Sequence, residues 1–309
     1  MVQTLDATFA VPARAPARRI SWQPWAYLAP TLATLVVWTY WPLIEAAYLS
    51  FYQWNMLPTA TPRYVGWDNY ANLLTLPEMR QAMWNTVLYI LGLLPLSVVL
   101  PTAIAILTQD LSGPFRSLYR SLIFIPMIIA PIVAAVLWRW LLNEDHGLVN
   151  VAIETLGMTP VGFLKDPSIA LWTLVWITGW KLIGFATLLL SAANGTIDPG
   201  YVEAARMDGA TRWQVIRDIR LPLLSPTILL LTMMTVLFGA QWSFVYINAL
   251  TGGGPLQSTT NVFYLMWDYG FQSYSAGWSA TAGMLTFAGF GLIAVLCLWL
   301  MKRVAVHEG

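Results

Sequence analysis

Charge is the first thing this sequence is short of. Only 10% of its 309 residues are Asp, Glu, Lys or Arg, while 58% are hydrophobic; an ordinary soluble domain carries about a quarter charged residues. So few charges cannot coat a water-facing surface, which excludes a soluble enzyme and a disordered chain alike. A formal net charge of +1 provides no global field for nucleic acid. Cysteine occurs once, as Cys297 in an apolar run, so neither an intramolecular disulfide nor a cysteine zinc cluster can form. Two histidines, His146 and His307, leave little for imidazole-based metal or acid–base chemistry. No His-Glu-x-x-His or Gly-x-Ser-x-Gly pattern occurs, so a membrane-embedded hydrolase would lack its machinery. The composition is that of an integral membrane protein.

What is present is long apolar runs. Crossing the hydrocarbon core takes about 20 predominantly apolar residues in a helix that satisfies its own backbone. Six stretches qualify, at 25–51, 84–109, 118–142, 169–192, 223–250 and 280–301. The expected fold is therefore all-α, with six transmembrane helices. Arg14, Arg18, Arg19, Arg116, Arg120, Arg206, Arg212, Arg217, Arg220, Lys302 and Arg303 gather on one side of these spans. The other side has only Arg63, Arg80 and Lys165. The excess of basic residues places both termini and the segment 193–222 on the cytoplasmic side. Residues 1–24 read as a flexible basic cytoplasmic tail, 25–303 as the transmembrane domain and 304–309 as a second cytoplasmic tail. An ion- or proton-driven secondary transporter is the alternative class. It would carry internal repeats and midplane carboxylates, whereas no fixed-period repeat is present and Glu45 is the one acidic residue well inside a span.

The segment between spans four and five departs from this pattern. Residues 193–222 hold Asp198, Glu203, Arg206, Asp208, Arg212, Arg217, Asp218 and Arg220. It reads as helix–turn–helix: Pro199 opens a short helix, Asp208 and Gly209 supply the turn, residues 210–219 form a second helix, and Pro222 starts the next span. Ala204, Ala205 and Gly209 keep its surface small enough for another protein to approach closely.

In order, the segment runs Glu203-Ala204-Ala205, three residues, Gly209, nine residues, Ile219, one residue, Leu221-Pro222. This pattern resembles the signature loop of the transmembrane subunits of binding-protein-dependent ABC importers. Residues 116–126, 134–138, 201–222, 251–255 and 65–70 are similar to the carbohydrate subgroup, in particular the permeases of sugar, polyol and glycerol-3-phosphate importers. The resemblance implies a multi-pass permease of the cell membrane that moves such a solute. It implies that Glu203, Ala204, Ala205 and Gly209 dock on a separate cytoplasmic ATPase. Asp208 and Arg212 would be polar contacts or local caps, while Ile219, Leu221 and Pro222 set how the loop rejoins its span. No Gly-x-x-x-x-Gly-Lys-[Ser/Thr] loop is present, so this chain is not the ATPase. No cofactor is expected on it; ATP and Mg would be used by the partner. The implied partners are two ATPase subunits, a second permease subunit in a heterodimer, an extracytoplasmic solute-binding protein and the lipid bilayer.

Polar residues inside spans are costly and mark candidate pathways. Thr178, Lys181, Gln241, Trp242 and Ser243 are the candidates, on the two spans flanking the loop. By the same resemblance, sugar contacts fall on Thr178, Ala240 and Ser243. Ala240 departs from the amide expected there, and Gln241 or Trp242 could substitute. Each candidate has an alternative in interhelical packing. Lys181 could attract a phosphate or sulfonate, or instead pair with a carboxylate or snorkel to an interface.

Overall fold

A computed structural model of the chain describes residues 22–109 and 114–304, without the side chains of residues 23, 114–117, 120 and 300–304. The predicted tails, with Arg14, Arg18 and Arg19, therefore lie outside the described residues, apart from residues 22–24 and the main chain of Val304. So do the side chains of Arg116, Arg120, Lys302 and Arg303. Residues 1–45 and 46–309 divide into two units. In the first unit, α1 (Pro24–Leu49) begins as an apolar helix that crosses the unit boundary. Thr34 donates its hydroxyl hydrogen to the Pro30 carbonyl at 2.9 Å.

In the second unit, β1 (Tyr52–Gln53) and β2 (Arg63–Tyr64) form a two-stranded antiparallel hairpin. The chain continues through α2 (Asp68–Thr75), α3 (Pro77–Leu107), α4 (Pro114–Ile128), α5 (Pro131–Leu141) and α6 (Leu148–Thr155). Next come α7 (Ala170–Gly195), α8 (Pro199–Met207), α9 (Arg212–Thr251), α10 (Val262–Trp267) and α11 (Ala276–Val304). Among the described residues, five helices are long and apolar enough to cross a membrane: α1, α3, α7, α9 and α11. The sixth expected span is broken. Its halves, Ser121–Ile128 and Pro131–Leu141, meet at 104° rather than forming one rod over 118–142. Pro131 has no N–H to donate, and the residue before a proline is pushed out of the helical region. Ala130 duly adopts an extended ψ of 137°.

A second expectation also needs correction. Pro222 does not open a new helix; α9 runs unbroken from Arg212 through it. The residues just before it, Ile216–Arg220, wind more widely than an α-helix, with π-type turns. The same widening precedes Pro42 at Val36–Tyr40 and Pro101 at Pro95–Val99. Each stretch ends two residues before its proline. Wider turns relieve the clash between the proline ring and the carbonyl four residues back, so the helix bends its ladder instead of stopping.

Tyr89 and Leu93 of α3 pack with Leu174 and Ile177 of α7, Ala134 of α5 and Ala240 of α9, all buried. Farther along the same helices, Val98, Ala105, Ala186, Leu190 and Leu231 form a second cluster. The contacts are close because small residues permit them. A Cβ on Gly184 would stand 2.3 Å from the Ile123 carbonyl oxygen of α4, and one on Gly179 2.3 Å from Leu96 Cδ1 of α3. Polar cross-links add direction: the Ser97 and Thr235 hydroxyls lie 2.8 Å apart between α3 and α9.

The loops at one end of the helices are fixed by buried asparagines. Asn69 donates to the Ser50 and Tyr52 carbonyls at 2.9 and 3.0 Å. Asn85 donates to those of Gln257 and Thr260 at 3.0 and 2.8 Å. Asn150 donates to the Val161 carbonyl at 3.0 Å and accepts from the Val161 N–H at 2.9 Å. In the same 143–169 segment, the Glu144 carboxylate lies 2.9 Å from Lys165 Nζ and holds that ammonium above its usual pKa. Hydrogen bonds from the Ser168 hydroxyl and N–H hold Asp166 below the usual carboxylate range.

Candidate functional site

The residues singled out in the sequence fall in two places, and α7 and α9 run between them. The first is the segment between these helices. Asp198 caps α8 by accepting from the Gly200 N–H at 2.9 Å, and Pro199 occupies the first turn, where no N–H is needed. The helix closes at Asp208, whose N–H donates to the Ala204 carbonyl at 3.0 Å. Gly209 then adopts φ +84°, a left-handed conformation that ends a helix at little cost only for glycine. A Cβ built there would meet nothing within 4 Å, so the conformation, not crowding, requires glycine. Thr211 starts α9 with reciprocal side-chain and main-chain bonds to Gln214.

Val202 is the buried residue of α8. Glu203, Ala204, Asp208, Gly209 and Arg212 are exposed, Ala205 is half-buried, and Ile219 and Leu221 are half-buried beside an exposed Pro222. Sequence reasoning passed over the size of the apolar surface alongside them: Met207, Trp213 and Tyr201 are 88%, 64% and 60% exposed. The signal was the presence of Tyr and Trp in an otherwise charged, water-facing segment. Arg206, Arg212 and Arg220 gather with Ile106 and Leu107 around a hollow of about 100 Å³, which seats the segment against the end of α3. Asn194 donates to the Ala105 carbonyl at 3.2 Å, tying the end of α7 to that same turn.

The second place is a cavity of about 840 Å³, within the usual size of small-molecule sites. Met127 and Pro131 flank it at the α4–α5 break, and Thr178, Lys181 and Phe185 come from α7. Gln241, Trp242 and Tyr246 line it from α9, Phe263 and Trp267 from α10, and Phe271 from the wider winding that prolongs α10 to Gln272. Four of the five sequence candidates thus share one wall system. Ser243 does not. It is fully buried, donating to the Ala240 carbonyl at 2.7 Å and accepting from Asn261 at 3.2 Å. Ala240 is likewise buried and off the wall.

Thr178 spends its hydroxyl hydrogen on the Leu174 carbonyl at 2.8 Å, leaving its oxygen as an acceptor. Lys181 donates to the Ile129 carbonyl at the break. Phe238 and Trp242 stack at 5.9 Å and Trp267 and Phe271 at 6.5 Å, presenting flat apolar faces. The α10 contribution was missed because this segment is too polar at its ends to span. Its signal was present all the same: Phe263, Trp267 and Phe271 recur every four residues, one helical face, behind an Asn261 that caps the helix by accepting from the Tyr264 N–H at 2.9 Å.

Residues 97–305 match the family of binding-protein-dependent transport system inner membrane components. The chain belongs to that family. It is 30% identical to the sn-glycerol-3-phosphate transport system permease protein of Pectobacterium atrosepticum, over 87% of this chain and 90% of that one. It is 32% identical to the osmoprotective compounds uptake permease protein of a Synechocystis strain, over 78% of this chain and 85% of that one. In fold it is similar to a subunit of a bacterial ABC transporter that imports the acidic polysaccharide alginate. The TM-score is 0.82 at 24% identity, covering 92% of this chain and 96% of the other. This family member is a transporter permease and not itself an enzyme.

Proposed function

We propose that this chain forms one half of the translocation pathway of an ABC importer, and that α8 and the start of α9 couple the pathway to ATP hydrolysis on a separate subunit. One observation carries the reading: the helices flanking the largely exposed 196–211 segment also wall the 840 Å³ cavity. From Gly195 to Thr178 is about 25 Å at 1.5 Å per residue, too far for direct contact but within one rigid helix. A push on α8 therefore tilts the cavity walls, the rigid-body movement that switches a pathway between two openings.

In this reading Glu203, Ala204, Ala205 and Gly209 meet the ATPase, with Met207, Trp213 and Tyr201 adding apolar anchors. The basic residues put that segment, and both termini, on the cytoplasmic side. A second permease subunit completes the pathway as a heterodimer, two ATPase subunits bind ATP and Mg, and a solute-binding protein delivers cargo at the opposite face. Aromatic faces beside a few hydrogen-bonding groups suit a carbohydrate or polyol, free or phosphorylated, and the sn-glycerol-3-phosphate named for one relative is of that kind. The test is reconstitution of the permease pair, the ATPase and the binding protein in lipid vesicles. ATP hydrolysis that rises only when the binding protein is present, with solute uptake into the vesicles, supports the reading. Uptake by this chain alone along an ion gradient overturns it.

A further inference from the structure

We propose that Lys181 reads an anionic group on the transported molecule, so that the cargo of this cavity is an acidic or phosphorylated carbohydrate or polyol rather than a neutral one. The inference rests on the cavity's being the translocation site.

The residue is 8% exposed, lines the cavity and is the one charged side chain of α7. Its fixed partner is neutral, the Ile129 carbonyl. That carbonyl lies in the break: the α5 ladder begins one residue later, where the Ala134 N–H donates to the Ala130 carbonyl at 3.0 Å. Lys181 thus satisfies a backbone group that the 104° bend exposes. This anchors the ammonium but does not balance its charge. A lysine has three donors, and Ile129 takes one. Among the described residues no carboxylate lies within ion-pair distance of it, and the cavity wall contains neither Asp nor Glu.

A brace for a carbonyl needs only a neutral amide, and a buried cation without a counter-charge is expensive in a membrane. The anion missing from the wall is one that the cargo would bring. A second group on the same wall also lacks its partner. Tyr246 is 2% exposed, and its hydroxyl has no hydrogen-bond partner among the described residues. Lys181 and the Gln241 amide provide charge and donors, while Trp242 and Trp267 provide flat faces. That is the complement of a polar ring carrying one negative substituent.

The experiment uses the reconstituted assembly with its binding protein and three matched probe pairs: glycerol 3-phosphate with glycerol, glucose 6-phosphate with glucose, and glucuronate with glucose. Uptake and stimulated ATP hydrolysis are measured for the native chain, Lys181→Gln and Lys181→Arg. The glutamine keeps a donor for Ile129, and the arginine keeps the charge. Co-purification with the second permease checks assembly of each variant. Expected is stimulation by at least one anionic probe and by no neutral one. Lys181→Gln should cut that uptake about 10-fold or more, the loss typical of a charge-assisted hydrogen bond, and Lys181→Arg should restore part of it. Stimulation by a neutral probe, an anionic response unchanged in Lys181→Gln, or silence toward every anionic probe while the binding protein alone still raises ATP hydrolysis overturns the inference. Absence of any response to the binding protein instead overturns the importer reading beneath it.

Discussion

Thr211 and Gln214 hold each other at the start of α9. The Thr211 N–H donates to Gln214 Oε1 at 2.7 Å, and the Gln214 N–H donates to Thr211 Oγ1 at 3.3 Å. The pair satisfies two N–H groups that would otherwise face water and fixes where α9 begins after the Gly209 turn. Thr211→Ala removes half of it, at about 1 kcal/mol of local stability. Expected is a permease that assembles normally and moves fewer solute molecules per ATP hydrolysed. Simultaneous measurement of uptake and phosphate release checks this; an unchanged ratio contradicts it.

Gly209 needs φ +84° and has open space where a side chain would sit. Holding a β-branched residue there costs roughly 1–2 kcal/mol, so Gly209→Val should reshape the turn without disturbing the transmembrane packing. Uptake should fall by at least 10-fold while the variant keeps its native melting temperature in lipid. Gly209→Asn, which tolerates this conformation better, should retain more uptake than the valine variant. Equal activity of the two variants would show that the turn geometry is not what matters.

Gly184 is a different case, since its φ is ordinary and the limit is space. A Cβ 2.3 Å from the Ile123 carbonyl oxygen would force α7 away from α4 beside the break. Gly184→Val should therefore reduce the yield of folded protein and lower the melting temperature, because backbone cannot swing aside as a side chain can. Fluorescence-detected size exclusion reads both quantities. Native-like yield and melting would mean that the two helices stand farther apart.

Asn261 is fully buried and donates to the Ala240 carbonyl at 2.7 Å while capping α10. Replacing it with leucine leaves a buried carbonyl and an N–H without this partner, at about 1–3 kcal/mol each. The expected outcome is a lower melting temperature together with loss of stimulated uptake, because α10 brings Phe263, Trp267 and Phe271 to the cavity. Ser243→Ala, which removes one hydroxyl at the same place, should leave uptake within about 2-fold, a change worth under half a kcal/mol. A large uptake defect in Ser243→Ala with unchanged stability would return that residue to the pathway.

The spans were legible in the sequence because a bilayer demands runs of apolar residues and penalises charge, and few other constraints produce both. The turn at Gly209 was legible for a similar reason, since Asp208-Gly209 between two short helices has few other uses. Prolines were harder to read. Pro131 breaks its helix, whereas Pro42, Pro101 and Pro222 are absorbed by wider turns immediately before them. The local chemistry of the four is the same. The break at Pro131 coincides with Lys181 donating to a freed carbonyl, a contact across 52 residues that no local pattern shows. Ser243 and Trp242 differ in their surroundings by angle alone, because consecutive residues on a helix point about 100° apart. Trp242 therefore faces the cavity while Ser243 turns into the core.

The most direct test of the account is whether the 196–211 segment transmits ATP hydrolysis. The measurement is binding-protein-stimulated ATP hydrolysis by the assembly in lipid, native against Glu203→Arg, with co-purification confirming that both permease subunits are present. The account predicts clear stimulation in the native assembly and its loss in the variant, with insertion and pairing of the permeases intact. Equal stimulation in the two would contradict it.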